Sequence, residues 1–277
     1  MFLSIAITNY KANLDTLRKT LKSIQEESRD FEREIIFVDV ESEKETQEII
    51  KKEFSEIIFF PTKENIGFVK ATNLSIEKTQ EKSKYILYLN ADIICKKDSI
   101  KKLIDFMEKN PKVGLCAPKL LNINGSLQYS CFRFYKLWTP AFRRLNFLNK
   151  FSFVQKDLNR FIMKDYDRKN PCSVNWLMTA SNLIRRETLE KIGSLDQRFC
   201  MYFSDIDWCR RSWQKKWEVW FVPEAEMIHY HGKGSDGGLL KLFNRLTLIH
   251  IQDGIKYFWK YKFDKLWELN SHSFISF

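Results

Sequence analysis

Residues 85–92 read Tyr85-Ile86-Leu87-Tyr88-Leu89-Asn90-Ala91-Asp92, five apolar side chains in a row that run into a polar end. A short apolar run of this kind fits a strand buried on both faces, as found in parallel sheets. The sequence on either side repeats the theme. Residues 3–8 form a second such run, followed by Leu14, Leu17, Leu21 and Ile24 at helical spacing. Residues 35–38 lead into Asp39, and residues 57–60 are closed by Pro61. A helix opens after Gly67, residues 98–109 read as helical, and residues 113–117 as a strand. Strand–helix alternation predicts an α/β fold, a mostly parallel sheet with helices on both faces. Ligands of such sheets sit beyond the carboxyl ends of the strands. Thr8-Asn9, Asp39 and Asn90-Ala91-Asp92 all fall at such ends, so three polar clusters point to one site.

From 132 to 168 the pattern gives way to an aromatic and basic stretch that includes Trp138, Arg143, Arg144 and Phe147. Order returns at 174–184, a helix starts near Ser204, and a strand at 218–222 is expected to stop at Pro223. The tail from 239 to 267 reads as a helix broken near Gly254. Forty-six Lys and Arg against 35 Asp and Glu leave a net charge of +11, which favours an anionic partner or reflects a lysine-rich genome. Six scattered cysteines suit neither a zinc site nor a disulfide framework, and fit a reducing cytoplasm. The opening MFLSIAITNY lacks the marks of a signal peptide. No apolar run reaches the roughly 20 residues needed to span a bilayer.

Several residues carry chemistry. Asp92, with Asn90 beside it, can bind a divalent metal and a diphosphate at a strand end, or simply close the strand in an Asx turn. Asp39 can hydrogen-bond a ribose or base. Lys70, just inside a helix that Gly67 opens, can meet phosphate. In Ser204-Asp205-Ile206-Asp207, Ser204 reads as a helix N-cap with Asp207 three positions on. Two residues apart on a helix is about 200° of arc, so one of Asp205 and Asp207 at most faces a cleft, where it can serve as general base. His229 and His231 alternate on an extended segment and point to opposite faces. In the tail, Ile255, Phe258, Trp259, Phe263 and Trp267 interleave with lysines, which suits an anionic membrane surface or a helix packed on the core.

Taken together, these segments resemble the family 2 glycosyltransferases of GT-A fold, particularly the rhamnosyltransferase-like branch. The resemblance runs in order from residue 3 to about 235. It rests on Ser4 to Tyr10, Val38-Asp39, Asn65-Ile66-Gly67-Phe68 with Ala71-Thr72-Asn73, Leu87 to Asp92, Ile192 to Asp196, Phe203 to Arg211, and Val222 to His229. It implies a GT-A domain over 1–235, its nucleotide-binding half at 1–120 and its acceptor-binding half at 121–235, with a C-terminal amphipathic helical extension at 236–277. Implied donor contacts are Thr8, Asn9, Asp39, Lys70, Asn90 and Asp92. Asp92 and His229 would hold Mn2+ or Mg2+, Asp205 would be the catalytic base, and Trp176, Ser204 and Asp207 would line the acceptor side. The implied reaction is an inverting transfer of a sugar, rhamnose among the candidates, from a nucleotide-diphosphate donor. The acceptor would be a saccharide or lipid-linked saccharide in cell-surface polysaccharide synthesis. The enzyme would be cytoplasmic and peripheral on the inner face of the membrane.

The chain departs from the family pattern at Val40, at Ser204 where Glu is usual, and at Asn175 where an acid is frequent before the Trp. A catalytically impaired sugar- or nucleotide-binding relative is therefore the alternative. A nucleotidyltransferase would need a glycine-rich loop after the first strand, and residues 8–20 hold no glycine. No nucleic-acid-binding module is recognisable.

Overall fold

The computed structural model describes residues 2–230, 244–262 and 264. The first half alternates as expected: β1 (Leu3–Asn9), α1 (Leu14–Ser28), β2 (Arg33–Asp39), α2 (Lys44–Glu53), β3 (Ile58–Pro61), α3 (Phe68–Glu77), β4 (Tyr85–Asn90), the short β5 (Ile93–Cys95), α4 (Ser99–Lys109) and β6 (Val113–Leu121). The middle holds β7 (Leu127–Gln128), β8 (Cys131–Phe132), α5 (Thr139–Arg144), a 3-10 turn at Asn146–Lys150, and α6 (Ser152–Phe161). The last part holds β9 (Cys172–Ser173), β10 (Trp176–Leu177), β11 (Ser181–Arg185), α7 (Arg186–Ile192), α8 (Ser204–Gln214), β12 (Glu218–His229) and α9 (Arg245–Lys260).

The main sheet runs β3-β2-β1-β4-β11-β6-β12-β5. β1, β2, β3 and β4 are mutually parallel, and β12 is parallel to β6. β11 lies antiparallel between β4 and β6, and β5 antiparallel at the edge. The chain winds outward from β1 through β2 to β3, then returns to place β4 on the other side of β1. That reversal is a topological switch point, where the carboxyl ends of adjacent strands open a crevice.

Side chains alternate across the sheet with period two. Leu87 and Leu89 enter the core under α1 and α4, while Ile86 and Tyr88 enter the core on the opposite face with α8. α1 begins where the Asn13 side chain accepts from the backbone N–H groups of Asp15 and Thr16, satisfying two donors that the helix leaves open. Its Leu17, Leu21 and Ile24 are fully buried.

Three expectations are corrected. Pro223 does not end the last strand, because β12 continues to His229 and absorbs the proline at a register shift between Val222 and Glu226, where no ladder N–H is required. Gly254 does not break α9, which runs through it to Lys260. It is a close-approach point: a Cβ there would meet the Phe203 ring at 3.3 Å. Ser204 is not the N-cap of α8. Phe203 holds that position in a left-handed conformation (φ +62°), and the Ser204 hydroxyl donates to the Met201 carbonyl instead.

The N–H groups that precede α8 are held from outside. Cys200, Met201 and Tyr202 donate to Asp253 Oδ2 at 3.0, 3.1 and 3.1 Å. α9 thus fixes the approach to α8, with Tyr257 and Tyr261 buried in the same core.

Candidate active site

The strand ends converge by register. Thr8 pairs with Asn90 and Asn9 with Asp39, so β2, β1 and β4 deliver their polar ends side by side. Asp39 is buried, with Oδ1 accepting from Asn9 Nδ2 at 2.7 Å and Oδ2 from the Ser42 hydroxyl. Burial raises its pKa, and the Ser42 and Asn9 hydrogen bonds oppose the shift. Asn9 is equally buried and spends its carbonyl on the Ala12 N–H. It therefore positions Asp39 from behind rather than facing the crevice as a donor contact. Thr8 reaches the Ser75 hydroxyl at 3.3 Å. Lys70 is exposed on the first turn of α3.

Asn90 is oriented by a residue unnoticed in the sequence. The Tyr88 hydroxyl donates to Asn90 Oδ1 at 2.9 Å and accepts from Thr72 at 3.1 Å. Burial pushes that phenol up to about 12, so it stays a donor. Two positions on, Asp92 meets the end of β12: Tyr230 donates its backbone N–H to the Asp92 carbonyl, and His229 pairs with Ile93. His229 Nε2 then lies 3.4 Å from Asp92 Oδ1. Its Nδ1 faces Gln128 Oε1 at 3.0 Å. With the Gln128 amide oxygen as acceptor, the tautomer that suits this contact has its proton on Nδ1 and leaves Nε2 facing Asp92.

This pair fits a divalent cation. Asp92 Oδ1 is buried and makes no hydrogen bond among the described residues, and two electron-rich atoms face each other across a gap. Among the described residues no third His, Cys, Asp or Glu joins them there. Two protein ligands suit a cation whose shell is completed by substrate phosphates and water. His231 lies outside the described residues.

Asp205 approaches from the acceptor half. Its carboxylate accepts the backbone N–H of Ile206 at 2.9 Å, and the Thr179 N–H lies close enough to favour its charged form. The neighbouring Ala180 carbonyl accepts the Asn90 N–H. One residue of backbone therefore links Asp205 to the β4 end. Burial raises the Asp205 pKa to about 6, against the pull of those N–H groups. A carboxylate tuned towards neutrality in a crevice is suited to proton transfer.

The three acceptor-side expectations are corrected. Asp207 is fully buried on the opposite face of α8, accepting from Arg211 at 2.8 Å, Tyr261 at 2.7 Å and Lys260. It ties α9 to α8. Ser204 is 1% exposed. Trp176 stacks on Phe132 at 4.4 Å and gives its indole N–H to the Arg133 carbonyl, so it packs the wall rather than offering a polar edge. Asn175 is also buried, accepting from the Phe134 N–H. Helical geometry had allowed one of Asp205 and Asp207 to face a cleft, and packing against α9 selects Asp205. Gln128, Thr179 and Asp253 support the site without any local signal, since their contacts join segments distant in sequence, whereas Tyr88 stands only two positions from the Asn90 it orients.

Comparison with known proteins bears on the family and the fold. The model of the family described as Glycosyl transferase family 2 matches residues 4–209. N-acetylglucosaminyl-diphospho-decaprenol L-rhamnosyltransferase of Mycobacterium tuberculosis is 23% identical over 257 residues, covering 82% of this chain and 76% of the relative. Rhamnosyltransferase WbbL of Escherichia coli K12 is 26% identical over 170 residues, 59% of this chain and 61% of that one. Among solved structures, GalNAc-T7 with UDP, GalNAc and Mn2+ superposes with a TM-score of 0.62 at 18% identity, over 83% of this chain. S. aureus TarS does so with 0.56 at 15%. The chain spans 44% and 37% of these two structures. They establish a shared fold.

Proposed function

This chain belongs to glycosyl transferase family 2, and on that premise we propose that it transfers rhamnose from a nucleotide-diphosphate donor to a saccharide or lipid-linked acceptor, with inversion, in cell-surface polysaccharide synthesis. The rhamnosyltransferase names of its relatives support the sugar. The observation that carries the chemistry is the half-buried Asp205 carboxylate, raised to about 6 and held beside Thr179, one residue from the Ala180 carbonyl that accepts the Asn90 N–H.

In the step proposed, the acceptor oxygen forms a bond to the anomeric carbon as the bond from that carbon to the diphosphate oxygen breaks. The electron pair leaves with the nucleoside diphosphate, and the acceptor proton passes to Asp205. Attack opposite the leaving group inverts the centre, through an oxocarbenium-like transition state. Near pH 7 Asp205 is mostly ionised and ready to accept a proton. Asp39, held by Asn9 and Ser42, faces the nucleoside, while Thr8, Lys70 and Asn90 lie along the diphosphate. Asp92 and His229 would hold Mn2+ or Mg2+, which when bound neutralises charge on the departing diphosphate. We assign residues 1–120 to the donor half and 121–235, of which 231–235 lie outside the described residues, to the acceptor half.

No helix among the described residues is long and apolar enough to cross a membrane. We place the enzyme in the cytoplasm, attached to the inner face of the membrane through exposed Trp138, Phe147 and Phe153 among basic residues. The test is a panel of dTDP-rhamnose, UDP- and GDP-sugars with Mn2+ or Mg2+, read by nucleoside diphosphate release. Acceptor-dependent release from dTDP-rhamnose is expected. Its absence with every donor would overturn the assignment.

A further inference from the structure

Between α5 and α9 runs a groove of about 720 Å3, a size that accommodates a small ligand. Leu137 and Ala141 wall one side, and Ile251, Ile255 and Trp259 of α9 the other. Buried Phe203 forms the floor. Leu137, Ile255 and Trp259 are 67%, 64% and 71% exposed, a concentration of apolar surface that marks an interaction site. On α9 the exposed residues Leu248, Ile251, Ile255 and Trp259 form a single stripe, while the opposite face holds Asp253 and Tyr257 in the core.

The groove is not uniformly apolar. Arg144 lines it, half-buried, with no hydrogen bond or ion pair among the described residues. Arg143 beside it donates to the Tyr135 hydroxyl. Tyr135 packs on Phe203 with ring centroids 5.2 Å apart and lies near enough to Asp205 for the two to interact electrostatically. From the Asp205 carboxylate the contacts thus run through Tyr135 and Arg143 to Arg144, neither arginine in an ion pair among the described residues, and then to an open apolar trough. A half-buried arginine such as Arg144, with the exposed Arg143 beside it, is matched by an anion, phosphate above all. A molecule complementary to all three zones has a hydroxyl-bearing head, a phosphate linkage and a hydrocarbon chain.

We infer that this groove binds the hydrocarbon chain of a lipid-linked acceptor, with Arg143 and Arg144 holding its phosphates and its sugar directed to Asp205. The inference rests on the transferase reading for the direction of the head, but the groove can be tested without turnover. The probes are farnesyl diphosphate, farnesol and inorganic diphosphate, titrated calorimetrically into the full chain with excess nucleoside diphosphates filling the donor site. Farnesyl diphosphate is expected to bind about 100-fold more tightly than inorganic diphosphate, which needs burial of only about four methylenes. Ile255→Glu should remove at least about tenfold of that advantage, whereas Ile123→Glu, equally exposed outside the groove, should keep it. Arg144→Gln should bring farnesyl diphosphate close to farnesol.

Equal affinities in the wild type, as when another segment of this chain fills the groove, would overturn the inference. So would an advantage that survives Ile255→Glu. Binding to phosphatidylglycerol vesicles without binding of farnesyl diphosphate would make the surface a membrane anchor and also overturn it. Failure of the donor panel with farnesyl diphosphate still bound would instead locate the error in the transferase reading.

Discussion

Replacing Asp205 by Asn should make this protein a poorer enzyme and a more stable fold. The Asp205 pKa rises from 3.8 to about 6 on folding, so ionisation is disfavoured in the native state. At about 1.4 kcal/mol per unit, holding the charge costs up to about 3 kcal/mol above pH 6. The residue keeps partial contact with solvent, so about half of that is expected after screening. The folded pKa is the higher one, so the penalty is absent below the unfolded value, grows as pH rises between the two, and is complete above the folded value. Asn keeps an oxygen to accept from Ile206 and Thr179 but carries no charge. At about pH 8 the variant should melt about 3–6 °C higher than the wild type, and at about pH 4 the two should nearly coincide. Turnover should fall by about 10²–10⁴-fold, and wild-type kcat/KM should drop about tenfold per unit below pH 6. Calorimetric melts at both pH values and the pH–rate profile supply the measurements. Equal or lower stability at pH 8, or unimpaired turnover, would refute the reasoning.

Asp207→Ala removes the carboxylate that Arg211, Tyr261 and Lys260 share, and should cost about 3 kcal/mol, because Lys260 keeps Asp196 as a second partner. Thermal melts should show the loss while acceptor KM, measured well below the melt, stays near the wild-type value; a large KM rise at unchanged stability would return Asp207 to the acceptor site. Gln128→Leu takes away the oxygen that sets the His229 tautomer, so Mn2+ affinity read by electron paramagnetic resonance should weaken about 10–100-fold. Gln128→Glu should restore it, and unchanged affinity in the Leu variant would mean that this contact does not orient the ring. Gly67 sits at φ +80°, ψ +157° with open space around it, a region nearly restricted to glycine, so Gly67→Ala should cost about 1–3 kcal/mol through backbone conformation alone. Asn, which tolerates the left-handed helical region but not this one, should be no better, and an Asn variant as stable as the wild type would contradict that account.

The sheet was legible because its information is local. The runs at 3–7, 35–38 and 85–89 are continuous and largely apolar, and a strand buried on both faces can be little else at that length. Their polar ends announced the crevice for the same reason: Thr8, Asp39, Asn90 and Asp92 stand where a strand must stop. Locally, however, Ser204 to Asp207 reads as a helix cap, and only the resemblance selected Asp205 as the base. Ser204 and Trp176 were misplaced as acceptor contacts because burial depends on what packs above them.

The sequence by itself therefore determined an α/β sheet, its main parallel strands and the position of a polar site along the strand ends, since apolar periodicity is written residue by residue. Tertiary structure alone decided which carboxylate of α8 meets that site, because the docking of α9 turns Asp207 inward. It also brought Gln128 to His229 across 101 positions of chain, and aligned Arg144 with an apolar trough. Such contacts are made by surfaces that meet only after the sheet has formed, and no spacing along the chain encodes them.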